Sequence, residues 1–138
     1  MRRLRTLAVL AVAPALSCAL PTEPLQVDFS VQQQGLFAAM PPVAAVEVPG
    51  RIETSGSMRT PCLPYDATGS LSQESRTITL TVIGRAVGAC ANDAEGTLIY
   101  RAAITRLPPG RYNLRVVHAY ADAEWPTSVV LLERLRVE

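Results

Sequence analysis

The sequence predicts an all-β fold: an antiparallel β-sandwich of about seven strands behind an N-terminal signal peptide. Three observations lead there. Apolar and polar residues alternate with period two in short segments of β-favouring types, which sets successive side chains on opposite faces of a strand. Turn formers recur between these segments, at Pro41-Pro42, Pro49-Gly50, Asn92 to Gly96, Pro108-Pro109-Gly110 and Trp125-Pro126. Beyond the first seventeen residues, no window sustains a helical period. Strands with one apolar and one polar face suit two sheets packed across one core, with a closed small barrel as the alternative.

The chain opens with Arg2, Arg3 and Arg5, then an apolar run from Leu4 to Leu16 broken by Pro14. That run is shorter than the ~20 residues a membrane-spanning helix needs, and it fits the apolar region of an export signal. Ala15-Leu16-Ser17-Cys18 then resembles the lipobox of bacterial lipoproteins, although the family favours Leu where Ala15 stands. The resemblance implies that Cys18 becomes the lipidated first residue, and that residues 18–24 are a short tether. An ordinary secretory cut after Ser17 or Ala19 is the alternative. In a cell with an outer membrane, Ala19 lacks the Asp associated with inner-membrane retention, so the outer membrane is the expected destination.

One domain is expected over residues 25–138, with its strands as follows. Leu25 to Val31 alternates, with Val27, Phe29 and Val31 on one side. Val43 to Glu53 is interrupted at Pro49-Gly50, which reads as a kinked or edge strand. A weaker segment covers Gly69 to Gln73. Arg76 to Val82 is the clearest, with Ile78, Leu80 and Val82 opposite threonines. Leu98 to Thr105 and Tyr112 to Val117 follow. Ser128 to Val137 closes the chain, with Glu133 on the apolar parity, as a bulge or an edge position would allow.

The chain has 138 residues, 49% hydrophobic and 18% charged, with a net charge of +1. That suffices for one cored domain and speaks against wholesale disorder. Loss of residues 1–17 leaves ten arginines against twelve carboxylates, a charge of −2. A nucleic-acid partner, which would call for a basic excess, is not expected. All thirteen basic residues are Arg, so lysine chemistry is excluded, and His118 is the single histidine. Three cysteines are an odd number for an exported chain. With Cys18 lipidated, Cys62 and Cys90 remain as an expected disulfide in an oxidising compartment. Two free buried thiols are the alternative, and a zinc site lacks nearby ligands.

Leu107-Pro108-Pro109-Gly110-Arg111-Tyr112-Asn113-Leu114-Arg115-Val116 is similar to the L-P-x-G-x-Y-x-L-x-V hairpin of immunoglobulin-like and carboxypeptidase-regulatory-like sandwich domains. The resemblance implies a turn at Gly110 and a core strand from Tyr112, whose hydroxyl closes a tyrosine corner in immunoglobulin-like domains. The wider order of Thr60-Pro61-Cys62, Cys90, this hairpin and Val117-His118 resembles small bacterial envelope lipoproteins. It implies a fold and a location, not a chemistry.

Few residues invite a chemical reading. His118 shares the inward parity of Tyr112, Leu114 and Val116, and Asp122 and Glu124 lie within reach of a turn. No G-x-S-x-G elbow supplies a nucleophile, and Gly56-Ser57 and Gly69-Ser70 read as polar loops. Asn92-Asp93-Ala94-Glu95-Gly96 lacks the alternating ligands of a calcium loop. No metal or cofactor is therefore expected. Trp125, Tyr120, Tyr65 and Phe37 read as loop aromatics, and Trp125 and Tyr120 form the candidate binding loop. Arg101, Arg111, Arg115 and Arg85 are expected on outward positions, where a carboxylate opposite would make an ordinary surface pair of little energy.

The expectation is an exported, lipid-anchored β-sandwich without enzyme activity, a binding or structural module of the cell envelope. Its partners would be the membrane, through a lipid on Cys18, and another envelope protein or a surface polymer. A small-ligand carrier with an apolar cavity and a hydrolase using His118 are the alternatives, as is a soluble secreted or periplasmic protein.

Overall fold

Among the described residues the alternating segments fold as strands, eight rather than about seven. The computed structural model describes residues 23–90 and 94–138. The signal peptide, Cys18 and its lipidation, most of the tether, and Asn92 and Asp93 lie outside the described residues. In chain order the strands are β1 (Gln26–Gly35), β2 (Val43–Val48), β3 (Arg51–Thr60), β4 (Tyr65–Glu74), β5 (Thr77–Ala86), β6 (Gly96–Thr105), β7 (Gly110–Tyr120) and β8 (Ser128–Val137). They form two four-stranded sheets, in the orders β1-β6-β3-β2 and β4-β5-β7-β8.

The extra strand comes from Pro49-Gly50. Gly50 takes φ +74°, which favours glycine, and the chain reverses there so that Arg51 pairs back to Val48. What reads as one kinked strand is a hairpin. Gly56-Ser57 and Gly69-Ser70 lie within β3 and β4, not in loops. Both glycines sit in tight packing: a Cβ on Gly69 would lie 2.6 Å from the Phe29 ring of the other sheet, and one on Gly56 would lie 2.9 Å from the Tyr100 oxygen on the neighbouring strand.

Among the described residues all strand pairings are antiparallel except one. β5 and β7 run parallel, with Leu80 beside Val116 and Val82 beside His118. The hairpin β4–β5 sets β5 on the inside of its sheet, and two crossings of the sandwich separate β5 from β7, so both start at the same pole. The expected accommodation of Glu133 is observed: β8 is an edge strand, its register to β7 shifts between Val116 and Val117, and Glu133 stands opposite Leu114.

Between the sheets lie Ile52, Met58, Ile78, Leu80, Val82, Leu98, Tyr100, Ile104, Leu114 and Val116, all fully buried. Fully burying each such side chain favours folding by about 1.5–3 kcal/mol. Two local devices brace the rim. Tyr112 donates its hydroxyl hydrogen to the Pro108 carbonyl at 2.6 Å, the corner that the hairpin resemblance implies. Cys62, after β3, and Cys90, after β5, form a disulfide with Cα atoms 5.5 Å apart, tying two crossings at one end of the sandwich.

The sandwich therefore has two distinct poles. The near pole holds the start of β1, the β2–β3 turn, Ser75-Arg76 and the β6–β7 connection. Glu23 pairs with Arg106 there at 3.1 Å, and Leu25 packs on the core. The far pole holds the ends of β1, β3, β5 and β7, the disulfide and the β7–β8 loop.

Candidate functional site

Two prolines make the site possible. β2 pairs with β3 from Val43 opposite Ser55, and continuing that register would set Pro41 against Ser57. A proline has no N–H to give to a ladder, so β2 stops and the far half of β3 loses its neighbour on that side. The preceding loop folds over instead. Met40 donates its backbone N–H to Ser57 Oγ at 2.6 Å, and Ser57 Oγ lies 3.0 Å from the Met40 carbonyl. Pro42 packs beside Gly56.

The space left between this half of β3 and the start of β8 is a cleft of about 530 Å³. His118 and Ser57 form its buried floor; Tyr120, Trp125 and Arg59 form its wall; Pro126, Ser128, Val130 and Glu95 complete the rim. Tyr120 donates its hydroxyl hydrogen to the Arg59 carbonyl at 2.6 Å, so β7 reaches across to the open edge of β3. Trp125 stands edge-to-face with Tyr120, centroids 5.2 Å apart. The Arg59 guanidinium lies over the Trp125 ring, 5.4 Å from its centre, and is paired with Glu95. Such a stack contributes roughly 0.5–1 kcal/mol at an exposed position, and it holds the arginine across the mouth of the cleft.

The titratable groups are set by burial. The imidazole of His118, 3.0 Å through Nε2 from the Tyr100 hydroxyl, is pushed down to about 4 by desolvation. It is neutral at physiological pH. Burial also raises Tyr100 and Tyr120 above the ordinary phenol range. Asp122 accepts from the Ala86 amide at 2.7 Å and the Tyr65 hydroxyl at 2.9 Å. Those bonds hold its carboxyl below the usual range, the amide bond first. Burial, then the Asp122 contact, raises Tyr65 in turn.

The sequence-derived candidates are redistributed. Trp125 lies in the β7–β8 loop as expected, but Tyr120 is the last residue of β7 and half-buried, and Tyr65 opens β4, buried in the core. The two expected binding-loop residues do meet in one wall. His118 and Asp122 do not form a pair: the imidazole partners Tyr100 and the carboxylate braces the β7–β8 loop against β4 and β5. Among the described residues, no three His, Cys, Asp or Glu side chains gather where they could hold a metal ion. Arg59, Ser57 and Glu95 were not legible as site residues. The one available signal was Pro41-Pro42, which truncates the strand beside them. Compared with family models, curated proteins and solved structures, the chain matches none.

Proposed function

We propose that the protein is an exported cell-envelope binding module, anchored through a lipid on Cys18, which presents the Trp125–Arg59 cleft away from the membrane. The observation that carries this reading is the opposition of the two poles. The chain enters the domain at Glu23 to Gln26, and the cleft lies at the other end of strands ten and eleven residues long, a separation of about 30 Å. A tether from Cys18 to Glu23 spans at most roughly 18 Å, so the domain stands close to the bilayer with its cleft outward. Aromatic and arginine side chains in a concave site are the usual anchors of recognition. An imidazole bonded to a tyrosine rather than to Asp122 supports a binding role over hydrolysis. An envelope polymer or protein is the partner this placement favours.

Trp125 is the sole tryptophan, so intrinsic fluorescence reports the cleft directly. Titration with fractionated envelope polymers and envelope proteins should shift its emission saturably, and Trp125→Phe/Tyr120→Ala should lose the same ligand in a pull-down. Intact mass before and after reduction tests the anchor: Cys18–Glu138 plus a diacylglyceryl and an acyl group, gaining two hydrogens on reduction. An unlipidated mass would replace the anchored reading with a soluble binder. No emission change with any fraction would sink the cleft.

A further inference from the structure

The outer face of the second sheet carries a charge arrangement that neither the cleft nor the fold uses. Arg111 and Arg115 on β7 share a face with Arg134 and Arg136 on β8, and all four are exposed. The register sets Arg111 directly opposite Arg136, Asn113 opposite Arg134, and Arg115 opposite Leu132. Like charges directly opposed across strands destabilise a sheet. Among the described residues, none of the four has a carboxylate within ion-pair distance; the paired arginines are Arg51, Arg59, Arg101 and Arg106. No carboxylate stands opposite Arg111 or Arg115 on β8, whereas Arg101 is paired with Glu53 at 2.6 Å. Leu132 stands among these arginines, 71% exposed. A domain with ten arginines against twelve carboxylates has thus concentrated unpaired cations around one apolar side chain.

We propose that this face, Arg111, Arg115, Arg134 and Arg136 around Leu132, docks on an anionic lipid surface. Charge complementarity identifies the occupant: guanidinium groups pair with phosphate in forked geometry. Leu132 can enter the headgroup region while the arginines hold phosphates. Position agrees as well. Arg111 and Arg136 stand beside Gly110 and Val137 at the near pole, where the chain enters the domain. These side chains occupy the near-pole half of β7 and β8, so seating them tilts the domain and leaves the cleft at the opposite pole clear of the bilayer. The contact goes beyond the anchor and does not need it, so the two can fail separately.

The test uses the mature chain, residues 18–138 with Cys18→Ala, which receives no lipid and lacks the basic, apolar leader, with vesicles of phosphatidylcholine alone or containing about a third phosphatidylglycerol. Co-sedimentation should show binding to the anionic vesicles only, falling as salt rises. Arg111→Gln/Arg136→Gln should weaken it about 30-fold, at roughly fivefold per arginine near a charged surface. The same variant removes a like-charge pair, so its melting temperature should be unchanged or higher, which separates lost contact from lost fold. Equal binding to both vesicle types, or an unchanged double variant, would overturn the proposal. Displacement by millimolar glycerophosphate would assign the face to soluble phosphates instead. Tighter binding to duplex DNA at the same salt would assign it to nucleic acid.

Discussion

Tyr100 and His118 join the two sheets beneath the cleft, the tyrosine hydroxyl 3.0 Å from the imidazole Nε2. Their rings meet edge-to-face, centroids 5.6 Å apart. Each polar atom satisfies the other where neither can reach water freely, which removes a cost of about 1–3 kcal/mol for an unpaired buried group. The pair also lies between the apolar core cluster and the cleft above it.

Stability should fall on mild acidification because of this histidine. Burial lowers the native His118 to about 4, while the unfolded imidazole titrates near 6.5. Between those values the unfolded chain binds more protons. The contribution is therefore complete above pH 6.5 and lost as pH falls towards 4, by about 3 kcal/mol. Urea midpoints measured from pH 7.5 to 4 should show this slope, and His118→Gln should flatten it. An equal slope in the variant would place the titration elsewhere.

Gly56 sets the position of that tyrosine. A Cβ there would lie 2.9 Å from the Tyr100 oxygen and 3.0 Å from Pro42 Cβ. Gly56→Ala should cost about 1–3 kcal/mol, as overpacking does. In a Tyr100→Phe background the nearer obstacle is gone, so the same substitution should cost at least ~1 kcal/mol less, a coupling that a double-mutant cycle reads directly. Additive costs would mean that the alanine is rejected for another reason.

Why some of this was legible and some not follows from the range of the interactions. The core strands announced themselves, since Ile78, Leu80, Val82 and Tyr112, Leu114, Val116 alternate within their own segments. The disulfide and the tyrosine corner could be expected from cysteine count and from a ten-residue resemblance. Gly56-Ser57 and Gly69-Ser70 misled because their place in strands depends on Tyr100 and Phe29 pressing from other strands. The parallel β5–β7 contact and the Arg111–Arg136 opposition depend on strand order, which periodicity does not encode. The cleft is further removed still: Arg59, Tyr120 and Trp125 come from three separate segments.

Reduction should be costly but not necessarily unfolding. The Cys62–Cys90 bridge closes a separation of 28 residues, worth roughly 3.5 kcal/mol in the chain-entropy account. Urea unfolding with and without reductant should differ by about that amount. A Cys62→Ala/Cys90→Ala variant should match the reduced wild type, because the effect lies mainly in the unfolded chain. A loss below ~1 kcal/mol would mean that the two crossings are already constrained without the bridge.

Arg59 governs the mouth of the cleft, and its removal should be visible with little loss of stability. The guanidinium covers Trp125 and pairs with Glu95, both near the surface, where such contacts contribute about 1 kcal/mol or less each. Tyr120 bonds to the backbone carbonyl of Arg59, so Arg59→Ala keeps the bond between the sheets. The variant should therefore melt within a few degrees of the wild type. Its single tryptophan should emit further to the red and quench more readily with iodide, since one side of the ring is uncovered. Tyr120→Phe makes the opposite separation: it breaks the bond to the Arg59 carbonyl and leaves the guanidinium in place, so stability should fall by about 1 kcal/mol with a smaller change in emission. Matching spectra for Arg59→Ala and wild type would show that the guanidinium does not rest on Trp125 in solution.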